Sequence, residues 1–188
     1  LERLLNKLMQ VVIENAGAQI GFLLLQKKRA WLIEAEGAII AAPTEADVQT
    51  EVKALQSMPI EGSAKLSVAI VNYVARTREN VVLNNATQAG LFMQDSYIVQ
   101  QQPKSILCAP LINQGRLTAI NYLENNLTTD AFTPARLEIL NLLSAQAAIS
   151  IENARLYTHQ VALTNGYSRF VPQEILRFLN KESIVDVK

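Results

Sequence analysis

Few side chains in this sequence have the type and spacing to do chemistry, and those few suit binding better than bond making. Cys108 is the one cysteine and His159 the one histidine. A thiol acts as a nucleophile or redox group when it is accessible and its pKa is lowered. Cys108 instead alternates with Ile106, Pro110 and Ile112, the setting of a small buried hydrophobe. His159 has no second histidine with which to share a metal, so no metal site is expected, and it stands alone as a base for a Ser-His-Asp arrangement. Glu124 and Asp130 lie near a strand end and a turn, with nothing pairing them as general acid and base. The seven glycines form no phosphate-cradling loop. No catalytic residue is assigned. What remains are amides and aromatics. Asn84, Asn85, Phe92, Tyr97 and Ile98 share one segment, and Trp31, Asn121 and Tyr122 lie on strand patterns. Such side chains suit a planar heterocycle through stacking and hydrogen bonding. They serve equally well as loop caps and core plugs.

The elements that must position these residues are legible from periodicity. Leu1, Leu4, Leu5, Leu8, Val11 and Val12 recur at helical spacing, and Gly17 ends that helix. Ala18 to Gln26 reads as a buried strand, paired with Ala30 to Glu36 through a turn at Lys27 to Arg29. Gly37 to Ile40 begins a further strand, and Thr50 to Met58 resumes as one. Leu66 to Thr77 fits a helix, Val81 to Asn84 a short strand, and Asp95 to Gln101 a short helix inside a polar segment. Ser105 to Ile112 and Leu117 to Leu123 flank Asn113-Gln114-Gly115 as a hairpin. Thr133 before Pro134 then opens a long helix reaching Tyr157 or beyond. Along it, Leu137, Leu140, Ser144, Ala147, Ile151 and Ala154 keep heptad spacing, with Leu142, Leu143, Ile149 and Leu156 to one side. One stripe is expected to cover the sheet. The small-residue stripe, with Leu4 and Leu8 of the first helix, is expected to meet a second copy. Gly166 is expected to break the helix, ahead of a short helix at Pro172 to Leu179 and a strand starting at Ile184. This order describes an α+β fold with an antiparallel sheet, N- and C-terminal helices on one face, and a helix- and loop-covered pocket on the other.

Composition narrows the partners. With 49% hydrophobic residues the chain can bury a full core. Lysines and arginines equal acids at 17 each, which removes the electrostatic reason to expect nucleic-acid or anionic-membrane binding. A single cysteine fits a reduced, cytoplasmic setting. The start at Leu1, inside a helical pattern, reads as a cut from a longer protein.

The stretches SILCAPLINQGRLTAINYLEN and FTPARLEILNLLSAQAAISIENARLY, with VVLNNATQAGLFMQDSYI ahead of them, resemble a GAF domain over residues 1–157. The type is similar to GAF domains of very large bacterial signalling proteins that also carry a serine/threonine-kinase-like region and an ATPase region. The tail YSRFVPQEILRFLNKESIVDVK is similar to the linker preceding class III adenylate/guanylate cyclase domains, so residues 158–188 are expected to lead to an output domain outside this sequence. The resemblance implies a non-catalytic sensor of an unknown small molecule, acting as a homodimer on a cyclase-like output in the same protein. Of the motif carried by cyclic-nucleotide-binding members, only Phe92 and Asp95 are echoed. Bilin, haem and metal are not expected: Cys108 lies in a strand far from His159. A ligand-free dimerisation module is the alternative reading, and a small redox enzyme using Cys108 the third.

Overall fold

Two tight turns set the register of the sheet. In the computed structural model, which describes residues 2–41, 48–88 and 90–168, β1 (Ile20–Lys27) and β2 (Ala30–Ala41) are antiparallel, with Lys27 opposite Ala30. Lys28 and Arg29 between them have φ of 47° and 72°. Positive φ at both central residues lets a two-residue hairpin follow the strand twist. The hairpin of β5 (Ser105–Asn113) and β6 (Arg116–Asn125) closes in the same way, with Gln114 and Gly115 at φ 48° and 75°.

Around these hairpins stand α1 (Glu2–Ala16), β3 (Val48–Pro59), α2 (Val68–Thr77), β4 (Val81–Leu83), α3 (Ser96–Gln101) and α4 (Pro134–Ser168). The six strands form one antiparallel sheet in the order β3-β2-β1-β6-β5-β4. The expected α+β class is therefore observed. β1 pairs with β6 at the centre, so the first strand meets the last.

Alternation along the strands sends side chains to two cores. Leu23, Leu107, Ala119 and Leu123 meet Met9 and Ile13 of α1 and Leu140, Ala147 and Ile151 of α4. Phe22, Ile106, Cys108, Ile120 and Tyr122 meet Ile70 and Val74 of α2 and Ile98 of α3. Gly21 and Gly37 face each other across β1 and β2. A Cβ on either would come within 3.0 Å of Met9, so α1 rests directly on strand backbone.

Side chains begin three helices. Ser67 Oγ accepts from Ile70 N (3.2 Å) at α2, and Asp95 Oδ1 accepts from Tyr97 N (3.0 Å) and Ile98 N (3.4 Å) at α3. Thr133 Oγ1 accepts from Arg136 N (3.5 Å) at α4, as the Thr-Pro pair suggested.

Some boundaries differ from expectation. β2 runs unbroken through Gly37, because that glycine is a close-approach site beneath α1 rather than a strand end. Leu66 precedes α2, buried in the core ahead of the Ser67 cap. α4 continues through Gly166 to Ser168; one glycine costs a helix about 1 kcal/mol, too little to end a long one. The described residues divide into one unit up to Ile151 and another from Glu152 onward. The expected loop at Pro43 to Asp47, the helix at Pro172 to Leu179 and the strand from Ile184 lie outside the described residues. Among the described residues, no helix is long and apolar enough to cross a membrane.

Candidate ligand site

Strand β6 carries an acid in an apolar series. Ile120, Tyr122 and Glu124 point to the α2/α3 side, because residues two apart share a sheet face. Glu124 stands between Ile20 of β1 and Ile106 of β5. It is 1% exposed, and its Oε1 has no hydrogen-bond partner. No lysine, arginine or histidine among the described residues forms an ion pair with it. Two phenols face the carboxyl instead, Tyr97 from α3 and Tyr122 from β6. Burial pushes the Glu124 carboxyl up to about 7, and hydrogen bonding from the two phenols limits the rise. Both phenols are in turn raised, first by burial and then by the charge of Glu124. Tyr122 is fixed from the other side, where its hydroxyl accepts from Ser67 N (3.2 Å).

Next to this cluster lies a cavity of about 310 Å³. Gly62, Ser63, Ala64 and Leu66 of the β3–α2 loop form one wall, with Val68 of α2. Asp95, Ser96, Tyr97 and Gln100 form the opposite wall. Lys65, in the loop, is paired with Glu36 of β2, which ties that wall to the sheet. The half-buried Tyr97 has two roles: it lines the cavity and it contacts Glu124. The lining includes one acid, Asp95, and no Lys, Arg or His.

The residues singled out in sequence are dispersed around this site. Tyr97 lines the cavity. Tyr122, Ile98 and Trp31 lie in the buried core of the same sheet face. Phe92 packs edge-to-face on Tyr73, with ring centroids 5.7 Å apart. Asn84 and Asn85 build a turn: the Asn84 carbonyl accepts from Asp130 N (2.8 Å), and Asn85 Oδ1 accepts from Thr87 Oγ1 (3.1 Å). Asn121 lies on the opposite face, between Leu23 and Ala109, with its Oδ1 unpartnered. Its odd position in β6 puts it there. In sequence Glu124 reads as an isolated acid near a strand end. The signal was present, since Glu124 continues the inward series of Ile120 and Tyr122.

The helix residues are similarly redistributed. Leu140, Ser144, Ala147 and Ile151 are all buried, and three of them belong to the core against the sheet. Leu4 and Leu8 are half-buried, with Leu8 packed on that core. Of the flanking set, Leu142 is 75% exposed, Ile149 44% and Leu156 59%, while Leu143 is half-buried; Ile139, Tyr157, Val161 and Leu163 (46%) are exposed on α4 as well. Cys108 is fully buried, and burial pushes its thiol well above the ordinary range. His159 is exposed on α4.

Comparison with known proteins places this geometry. The GAF domain family matches residues 1–151. A stretch of 121 residues, 64% of the chain, is 41% identical to hybrid signal transduction histidine kinase G of Dictyostelium discoideum, of whose length it spans 4%. Among solved structures, the fold is similar to the GAF domain of an Acinetobacter phosphoenolpyruvate-protein phosphotransferase (TM-score 0.57, 18% identity, 81% of this chain and 82% of that one). It is similar also to the GAF domain of a two-component sensor histidine kinase from Bacillus halodurans (TM-score 0.57, 17% identity, 84% and 97%). With the family pattern covering most of the chain and the same antiparallel sheet beneath it, this chain belongs to the GAF domain family.

Proposed function

We propose that the chain is a small-molecule-sensing regulatory domain of a longer signal-transduction protein. The observation that carries this reading is the cavity walled by Tyr97, which in turn faces a buried carboxyl with one unpartnered oxygen. Concave sites with a few converging polar groups are where small ligands bind. A ligand that binds two arrangements of α3 and the β3–α2 loop unequally shifts their populations; one that binds them equally transmits nothing.

The signal then passes along α4 to an output. Leu142, Ile149, Leu156 and Leu163 recur every seven residues and are exposed, the pattern of a seam that pairs with the same helix of a second copy. The sensor occupies residues 1–157, and residues 158–188 connect it to the output. The similarity of that connector to cyclase linkers supports an adenylate/guanylate cyclase-like output, in a cytoplasmic protein that also carries kinase-like and ATPase regions. The Dictyostelium relative supports a histidine kinase as the competing output.

A native mass spectrum of the freshly purified protein tests the sensor reading. Excess mass that is lost on denaturation is expected. Bare mass at twice the chain weight favours the second reading, a ligand-free dimerisation module. One observation favours that module: beneath α3 the sheet face is filled, with Phe22, Ile98 and Tyr122 all at 2% exposure or less.

A further inference from the structure

We propose that the cavity takes a small planar ligand bearing a cationic or strongly N–H-donating group, such as an amidine, guanidine or aminoheterocycle, which Glu124 accepts when Tyr97 turns aside. The proposal rests on the sensor reading and names the chemistry of its ligand.

Three observations converge. First, Glu124 is almost wholly enclosed, has no partner cation among the described residues, and leaves Oε1 unbonded. Buried acceptors are normally satisfied, so an orphan marks a place where a donor is missing. Second, Tyr97 both lines the cavity and faces that carboxyl, and it is half-buried on the six-residue helix α3 with exposed Ser96 and Gln100 beside it. In this proposal, rotation of that phenol is the step that opens the carboxyl to the cavity. Third, the lining selects by charge. Asp95 is its one ionisable acid, and it carries no lysine, arginine or histidine. An anionic ligand would meet two carboxyls and no cation, whereas a donor ligand would meet an acceptor already desolvated. At about 310 Å³ the space is at the small end of ligand pockets, which fits a single ring with one substituent. The Tyr122 phenol stays beside the carboxyl once Tyr97 has turned aside.

The test titrates the full chain at pH 8 with benzamidine, benzamide and benzoate, followed by amide NMR. Benzamidine is expected to shift Ser67, Tyr97 and Glu124 saturably, and benzoate is not. In Glu124→Gln the benzamidine affinity is expected to fall about tenfold or more, as for loss of a charge-assisted hydrogen bond. In the unmodified chain, saturating benzamidine is expected to lower the titration midpoint of the Glu124 side-chain carboxyl carbon, a readout that needs no variant. An unmoved midpoint, or equal affinity in Glu124→Gln, overturns the proposal. Benzamide or benzoate binding as well as benzamidine also overturns it, yet leaves the sensor reading standing, because the cavity then takes other chemistry. Silence from all three probes, in the unmodified chain and in Tyr97→Ala, overturns it too. The native mass spectrum then decides the sensor reading separately.

Discussion

Glu124 ties the stability of this fold to pH. Its carboxyl titrates near 7 in the folded chain against an ordinary 4.5, so the folded state holds a proton that the unfolded chain releases. Its contribution is fully present below about 4.5 and is lost as pH rises through about 7. At 1.36 kcal/mol per unit the span is about 3 kcal/mol at most. Urea unfolding at pH 5.5 and pH 8 is expected to show a stability advantage of Glu124→Gln over the native chain at pH 8 that shrinks at pH 5.5. An advantage that does not change with pH would contradict this assignment. Cys108 gives a second expectation. A thiol wholly buried in the core stays protonated and out of reach, so Ellman's reagent should label it only at the rate of unfolding. Fast labelling of the native chain would restore the redox reading. The buried place of Cys108 was legible from its alternation with Ile106 and Ile112. The role of Glu124 was not, because an acid near a strand end looks solvated until a remote helix delivers Tyr97 over it.

Helix α4 shows how two stripes on one element exchange roles. Small residues were expected to let a second helix approach, but Ser144 and Ala147 are buried within this chain, Ala147 in the core that α4 shares with the sheet. Leu142 and Ile149, read as flanking, are the ones left outside. The period was legible; the phase was not, because both stripes are apolar and only the tertiary partner distinguishes them. Glu substitution separates the faces. Ala147→Glu buries a charge against the sheet and is expected to unfold or severely destabilise the chain, by several kcal/mol. Ile149→Glu is expected to leave the urea midpoint within about 0.5 kcal/mol of stability while converting dimer to monomer by light scattering. A folded Ile149→Glu dimer would remove the seam from the mechanism. The hairpins, by contrast, were readable in place though not in exact length: Asn113-Gln114-Gly115 and Lys27-Lys28-Arg29 punctuate the runs, but Asn113 and Lys27 join the strands and leave two-residue turns.

At the scale of the whole molecule, both cores share one sheet, and Trp31 is buried in the one that faces α2. Loss of either core removes the support of the other. Trp31 fluorescence and the β-sheet circular dichroism signal are therefore expected to change at one urea midpoint. A separate, earlier loss of helical signal alone would assign independent melting to the unit from Glu152 onward. The sheet order was beyond reach of local patterns. Hairpins are specified by neighbours in sequence, whereas the β1–β6 pairing joins Ile20 to Glu124, and no short-range signal encodes it.

That central pairing has a consequence for biosynthesis. β1, β2 and β3 are complete once residue 59 has been made, but the second edge of β1 has its partner only when β6 appears. At about 5–20 residues per second, the ribosome takes roughly 3–12 s to reach that partner. Throughout that interval Phe22 to Leu25 sit on an open strand edge, a template for any passing strand. Nascent chains of this domain therefore have a built-in need for shielding, by a chaperone or by the exit vestibule, until the last hairpin closes the sheet.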